Sequence, residues 1–241
     1  MSSPRSERLS RNLADVRRRI AAAAAEAGRR PDEIRLVAVT KYVDVAVTAA
    51  LAACGQVDLG ESRPQQLWLK AEAPELRDVR WHLIGHLQRN KTARTLPLAA
   101  WVHSGDSLRL LEELDAVGRV LDRPRVRTLL EVNLTGEAAK HGFAPAEVPP
   151  LCDALASFAS LDIAGLMGMS AAEDDAAAAR RRFATLRELR DRLRRDWHGR
   201  FDLNELSMGM SHDFEAAILE GATLVRIGSA LFEGLDAQGR A

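Results

Sequence analysis

The chain alternates short apolar segments with segments of helical periodicity, and the alternation produces eight apolar segments in 241 residues. Short apolar runs bounded by turn residues are typical of buried strands. Strands separated by helices favour a parallel sheet, because a crossover must return the chain to the same end of the sheet. The predicted strands span residues 34–41, 57–59, 79–84, 101–103, 126–134, 161–167, 201–206 and 223–227. The predicted helices after the first strand span residues 45–54, 64–73, 91–98, 107–120, 145–158, 180–200 and 213–220.

Eight such units match the size of one (β/α)8 barrel, which usually needs about 250 residues. A further amphipathic helix is predicted at about residues 5–28, before the first strand. We therefore predict a single α/β domain over residues 1–241, with the barrel at about 34–235 and an extra N-terminal helix. A doubly wound open sheet is the alternative, although no strand is followed by the Gly-x-Gly-x-x-Gly turn of a dinucleotide-binding fold.

The composition gives no sign of a nucleic-acid or membrane partner. Lys+Arg and Asp+Glu both number 34, so the formal net charge is zero. The two cysteines, Cys54 and Cys152, form no metal-ligand or redox motif and are predicted to be buried thiols in a reducing compartment. The N-terminus lacks the apolar core of a signal peptide, and no apolar run is long enough to span a bilayer. We expect a cytoplasmic monomer.

Lys41 ends the first apolar strand, where a lysine needs an explanation. Desolvating an ammonium is costly, and burial favours the neutral amine, which is a nucleophile toward aldehydes. A lysine whose side chain simply reaches solvent at the strand end is the alternative. Because catalytic and binding residues of a (β/α)8 barrel lie at the carboxyl ends of its strands, Lys41 is a candidate site residue.

Two segments rich in glycine and serine follow the last two predicted strands, at residues 207–211 and 226–229. The loops after strands 7 and 8 of such barrels often hold phosphate, and glycine lets the backbone approach a ligand closely. The candidate phosphate-binding residues are Ser207, Gly209, Ser211, Gly228 and Ser229. Two ordinary turns, with Ser211 as a helix cap, would explain the same residues.

Three more residues lie on or near the ends of predicted strands. His82 and Met167 are typical core residues as well as possible ligand contacts, whereas Asn133 on an apolar strand needs polar partners, and a ligand is one of them. A carbonyl-reactive lysine with a phosphate cradle indicates pyridoxal 5′-phosphate (PLP) or the sugar phosphate of a lysine-dependent aldolase, for which Glu61 would be the acid/base. Arg226 beside a pyridine nitrogen would keep it unprotonated and favour PLP binding over PLP chemistry.

Seven motifs occur in unbroken order between about Ile34 and Phe232. They are Val39-Thr40-Lys41, Gly60-Glu61-Ser62, residues 81–91, Glu131-Val132-Asn133, Gly165-Leu166-Met167, residues 206–211 and residues 225–229. Together they resemble the pyridoxal-phosphate homeostasis protein family.

The resemblance implies a fold-type III PLP barrel, similar to the N-terminal domain of alanine racemase. It implies a Schiff base between PLP and Lys41. If Lys41→Ala kept the absorption band of that Schiff base, the anchor would be another lysine, such as Lys91 or Lys140. The other implied contacts are Ser207, Gly209, Gly228 and Ser229 at the phosphate, Arg226 at the pyridine nitrogen, and His82, Asn133 and Met167 around the ring. It also implies a role in PLP homeostasis without an established reaction. An open barrel mouth would suit exchange of PLP with transient partners, the apo-PLP enzymes.

Three residues depart from the family pattern: Thr40 replaces serine, Ser62 replaces asparagine and His86 replaces proline. The alternative function is a PLP-dependent racemase or decarboxylase of amino acids. A two-base racemase needs a second acid/base group, and the only tyrosine of the chain is Tyr42. His82 or His86 would then have to supply that group.

Overall fold

Eight parallel strands form a closed barrel in the computed structural model, which describes residues 4–121, 125–137 and 141–235. The strands pair in sequence order, and β8 pairs with β1 to close the barrel. They are β1 Arg35–Val39, β2 Asp58–Glu61, β3 Arg80–Leu83, β4 Ala99–Gly105, β5 Val126–Val132, β6 Leu161–Gly168, β7 Glu205–Ser207 and β8 Leu224–Ile227. The predicted (β/α)8 barrel is confirmed, and the open sheet is excluded because all eight strands are paired on both sides.

Helices cover the outside of the barrel. They are α1 Pro4–Glu26, α2 Val45–Ala53, α3 Pro64–Ala71, α4 Thr92–Thr95, α5 Leu108–Gly118, α6 Cys152–Ala156, α7 Ala176–Asp196 and α8 Phe214–Leu219. Three of them begin with a side-chain cap, in which Asp44, Ser107 and Asp175 each accept a hydrogen bond from a backbone N–H of the first turn. No helix in the described ranges is long and apolar enough to cross a membrane.

The extra N-terminal helix is present as α1. Its apolar stripe, which includes Leu9, Leu13 and Val16, is buried in the main hydrophobic core. Asn12 Nδ2 donates hydrogen bonds of 3.0 Å to the carbonyls of Leu231 and Glu233. The helix therefore packs along the barrel and fastens the segment that follows the last strand.

Several predicted boundaries and burials were wrong. The predicted helix at 145–158 is two short 3-10 turns followed by α6, because prolines at 145, 149 and 150 cannot donate backbone hydrogen bonds. The helix predicted at 91–98 is reduced to α4 after a 3-10 turn, and the strand predicted from 201 begins at Glu205, after Leu203 with a φ of 46°. Cys54 and Cys152 are half-buried.

The inside of the barrel contains both apolar and polar side chains, at different levels along its axis. Alternate residues of a strand point to opposite faces, and four inward side chains form a small separate apolar core, made of Trp101, Leu129, Ala164 and Met167. Polar side chains fill much of the remaining interior. Val39 lines a cavity at the carboxyl end of the strands, and Lys41, two residues later, lines it too.

Candidate functional site

A cavity of about 680 Å³ opens at the carboxyl ends of the strands. This volume lies within the range of small-molecule sites, and the position is the one where barrels of this class carry their ligands. The residues around it include Lys41, Tyr42, Ser62, Ile84, Met169, Ser211, His212, Arg226, Gly228 and Ser229.

Lys41 lies at the exposed rim of this cavity. Its ammonium is 4.8 Å from the centre of the Tyr42 ring, a cation–π contact. The chain has four lysines, and of the three in the described ranges only Lys41 lines the cavity. Lys91 belongs to a 3-10 turn before α4, and Lys140 lies outside the described residues. Its position on the cavity lining, and not burial of its side chain, therefore distinguishes Lys41 from the other lysines in the described ranges.

The backbone before Lys41 is held by a buried ion pair on the outer face of the barrel. Lys70 Nζ lies 2.6 Å from Glu61 Oε1 and donates to the Thr40 carbonyl at 2.8 Å. Thr40 Oγ1 donates to the same Glu61 oxygen at 2.6 Å. Because Glu61 is fully buried and does not line the cavity, the acid/base role considered for an aldolase loses its residue.

Sequence reasoning missed Lys70, although a lysine on the apolar side of α3 was a usable signal. Its side chain is 1% exposed, and that of Glu61 is fully buried. Removing one partner of a buried pair leaves an uncompensated charge, which typically costs about 3–5 kcal/mol. The pair is therefore a strong constraint on the local geometry of Lys41.

The loops after β7 and β8 are bonded to each other. The Gly228 N–H donates to Ser211 Oγ at 3.1 Å, so Ser211 is not the cap of α8. A Cβ on Gly228 would lie 3.3 Å from the Val39 carbonyl oxygen. Gly228 and Ser229 both line the cavity, and the first N–H groups of the 3-10 turn Ser229–Phe232 have no acceptor within that turn.

Gly209 is close to this loop but does not line the cavity. Its φ is +90°, and a Cβ there would lie 2.6 Å from Ala217 Cβ and 2.9 Å from Phe214 Cα. The glycine therefore lets the loop pack directly on α8. Asp213, which sequence reasoning missed, holds the same loop by accepting a hydrogen bond from the Met210 N–H at 2.6 Å.

Arg226 lines the cavity with a side chain that is otherwise enclosed. It donates to Ser207 Oγ at 2.6 Å and to the Gly168 carbonyl at 3.1 Å. Burial lowers the pKa of Arg226 to about 10, although the nearby Glu131 and Asp213 carboxyls act in the opposite direction. The guanidinium remains a fixed cation at the floor of the cavity.

The remaining predicted site residues do not line the cavity. Ser207 and His82 are fully buried, and Met167 belongs to the small apolar core inside the barrel. The Asn133 side chain serves its own loop, where Oδ1 accepts from the Thr135 and Gly136 N–H groups, both at 3.1 Å. The cavity thus brings together four of the nine predicted residues: Lys41, Arg226, Gly228 and Ser229.

His86, a departure from the family pattern, belongs to a cluster beside the cavity. Its Nδ1 lies 2.6 Å from Asp106 Oδ2, and its ring stacks on that of His141 with centroids 4.1 Å apart and an interplanar angle of 9°. These three residues could supply metal ligands, but a metal bound to two imidazoles should lie near both ring planes. Two nearly parallel stacked planes do not allow this, so the arrangement favours a hydrogen-bonded pair.

Glu131 is a buried acid inside the barrel that sequence reasoning did not consider. Burial, and then the Asp106 carboxylate, raise the pKa of Glu131 to about 7. No hydrogen bond or ion pair reaches its carboxyl from the residues that the structure describes. A glutamate within the apolar run Leu129-Leu130-Glu131-Val132 was the available sequence signal.

Known proteins match the chain over almost its whole length. A model of the alanine racemase N-terminal domain matches residues 11–236. A pyridoxal phosphate homeostasis protein of Pseudomonas aeruginosa is 41% identical over 229 residues, which cover 95% of this chain and 96% of that protein.

Two solved structures share the same fold along their full length. A crystal structure of an unknown protein from Bifidobacterium adolescentis has a TM-score of 0.88 and 34% identity, covering 96% of this chain and 97% of that one. PipY of Synechococcus elongatus, solved with PLP bound, has a TM-score of 0.82 and 32% identity, covering 93% and 99%. The motifs, the barrel and these relatives agree: the chain belongs to the pyridoxal phosphate homeostasis protein family.

Proposed function

We propose that this protein binds PLP in the cavity at the barrel mouth and serves PLP homeostasis, with Lys41 as the reversible covalent anchor. The observation that carries the proposal is the position of Lys41, the only lysine in the described ranges that lines the cavity, together with Arg226 and the Gly228–Ser229 turn. The relative PipY, solved with PLP bound, supports the same assignment.

The residues present fit the cofactor. A side chain at position 228 would crowd the Val39 backbone, so a glycine is favoured there. The 3-10 turn that follows Gly228 offers N–H groups and the Ser229 hydroxyl to a phosphate. Arg226 would face the pyridine nitrogen, where a cation disfavours protonation. PLP supplies an aldehyde that condenses reversibly with a primary amine. Lys41 supplies a primary amine on the cavity lining. The Lys70–Glu61 pair holds the backbone just before Lys41 in place.

Uptake of PLP tests this proposal. Wild-type protein mixed with PLP should develop a visible absorption band that Lys41→Ala lacks, because the covalent bond to the lysine produces that band. Lys91→Ala is the matched control, since it removes another lysine that does not line the cavity, and it should retain the band. A band that persists in Lys41→Ala would show that the anchor is a different lysine.

We further propose that the bound cofactor is held without turnover of amino acids. Racemisation needs a second positioned acid/base group. His82 is buried and His86 is paired with Asp106, so neither of these two candidates lines the cavity. Tyr42 and His212 do line it and are the residues on which a racemase alternative would now rest.

Hydrogen exchange at the α-carbon separates the two functions. Loaded protein incubated with L-alanine in heavy water should incorporate no deuterium beyond the rate given by free PLP. Deuterium incorporation that disappears in Tyr42→Phe or His212→Gln would establish acid/base catalysis at this site and overturn the proposal of a non-catalytic role.

We propose that the open mouth lets a cytoplasmic monomer release PLP to apo-enzymes by transient contact. The cavity is bounded by strand-end loops, and exposed Tyr42 and Met169 lie on its lining. Reactivation of an apo-PLP enzyme should be faster with loaded protein than with an equal amount of free PLP. An equal or slower rate would count against delivery while leaving PLP binding in place.

A further inference from the structure

A continuous series of hydrogen bonds crosses the inside of the barrel and ends at Arg226. Its four members are Asp58, His82, His103 and Ser207, which we call the interior chain. His82 Nε2 lies 3.0 Å from Asp58 Oδ1, and His82 Nδ1 lies 2.9 Å from His103 Nε2. His103 Nδ1 lies 2.9 Å from Ser207 Oγ, which in turn accepts from Arg226 at 2.6 Å. Both histidines and Ser207 are fully buried.

With both histidines neutral, the carboxylate end of the interior chain determines the direction of every bond. A guanidinium only donates, so Ser207 Oγ accepts from Arg226 and its own proton remains for His103 Nδ1. A carboxylate only accepts, so His82 carries a proton on Nε2 toward Asp58 and accepts at Nδ1 from His103. His103 therefore carries its proton on Nε2, and its Nδ1 accepts from the Ser207 hydroxyl. The guanidinium at the other end is compatible with this single directed arrangement, because Ser207 Oγ still accepts from it.

Both histidines are neutral in this arrangement. Burial lowers the pKa of His82 and drives that of His103 well below its ordinary value. Burial alone would raise the pKa of Asp58, but hydrogen bonds from Arg80 and His82 outweigh it and hold that pKa low. Arg80 donates two hydrogen bonds, of 2.8 and 2.6 Å, to the Asp58 carboxylate and so fixes the Asp58 end of the interior chain. Neutral groups thus connect a fixed carboxylate to a fixed guanidinium.

Ser207 has no remaining proton to offer a ligand. A hydroxyl has one donor position, which His103 uses, and the serine is fully buried and does not line the cavity. We propose that the interior chain positions Arg226 at the cavity floor, so that Ser207 orients the guanidinium and is not a ligand of the phosphate. The identity of the ligand rests on the proposed function, whereas the bond pattern does not. Asp58, His82 and His103 are positioning residues in this account.

Nitrogen NMR of the ligand-free protein tests the bond pattern without any cofactor. Near neutral pH both His82 and His103 should be neutral with the proton on Nε2. The Nη1 protons of Arg226, which donate to Ser207, should give resolved signals that are lost in Ser207→Ala. A doubly protonated histidine, a proton on Nδ1 of either ring, or unchanged Arg226 signals in Ser207→Ala would overturn the interior chain.

Two ligands that differ only in the phosphate separate the two roles of Ser207. Pyridoxine 5′-phosphate and pyridoxine both lack the aldehyde, so neither can react with Lys41. Ser207→Ala should weaken both by the same factor, about tenfold, which corresponds to about 1.4 kcal/mol. The control Ser229→Ala should weaken only the phosphate ester, because Ser229 lines the cavity beside Gly228.

The outcomes distinguish the positioning role from the proposed function. Loss of affinity for the phosphate ester alone in Ser207→Ala would make Ser207 a phosphate ligand and refute the positioning role. Unchanged affinity for both ligands would refute it as well. A wild-type protein that binds neither PLP nor these ligands would refute the proposed function, and the NMR signals of His103 and Arg226 would still decide the interior chain.

Discussion

The buried Glu131 carboxyl makes the stability of the protein depend on pH in a direction that can be derived. Its pKa is raised from 4.5 to about 7, first by burial and then by Asp106. Between these two values the folded state binds more protons than the unfolded state, so the free energy of unfolding falls as the pH rises. At about 1.36 kcal/mol for each pKa unit, the full difference corresponds to about 3 kcal/mol.

Glu131→Gln keeps the shape of the side chain and removes the titration. Urea unfolding of the ligand-free protein at about pH 4 and about pH 8 brackets this window. Relative to wild type, Glu131→Gln should gain about 3 kcal/mol between the two pH values, and it should be the more stable protein at the higher one. Glu188→Gln removes a carboxyl whose side chain is 72% exposed and is the matched control. An equal pH dependence of unfolding in wild type and Glu131→Gln would refute the reasoning.

Two other substitutions test how the site is held. Lys70→Met leaves Glu61 buried without its cation and should lower the free energy of unfolding by about 3–5 kcal/mol; Lys70→Met combined with Glu61→Leu should recover much of the loss, and no recovery would contradict the ion-pair explanation. Gly209→Ala and Gly199→Ala place a side chain at similar positive φ, +90° and +79°, but only Gly209 has atoms within 4 Å of the added Cβ. Urea unfolding should therefore show an additional loss of about 1–3 kcal/mol for Gly209→Ala, and equal losses would rule out packing of this loop on α8.

The fold could be predicted because its signal is local and repeated. Each apolar run was found in the sequence without knowledge of its partners, and the alternation with helices leaves few topologies. The errors lie where local chemistry overrides that pattern, as in the proline-rich segment before α6 and at Leu203, whose positive φ interrupts the strand predicted from residue 201.

The sequence predicted which residues line the cavity only where the order of the strands is enough to bring them together. Lys41, Gly228 and Ser229 follow adjacent strands of the barrel, so their meeting at the mouth follows from strand order. The bond between His103 and Ser207 joins residues 104 positions apart across the barrel interior. Such a contact depends on the radius of the closed barrel and on side-chain rotamers, which single-sequence reasoning does not supply.

The central claim is that Lys41 carries the cofactor, and covalent trapping tests it most directly. Loaded protein is reduced with borohydride, digested, and mapped by mass spectrometry over the four lysines of the chain. The account predicts a pyridoxyl group on Lys41 in a one-to-one ratio with protein. Modification at Lys70, Lys91 or Lys140 in place of Lys41, or no modification at all, would contradict it.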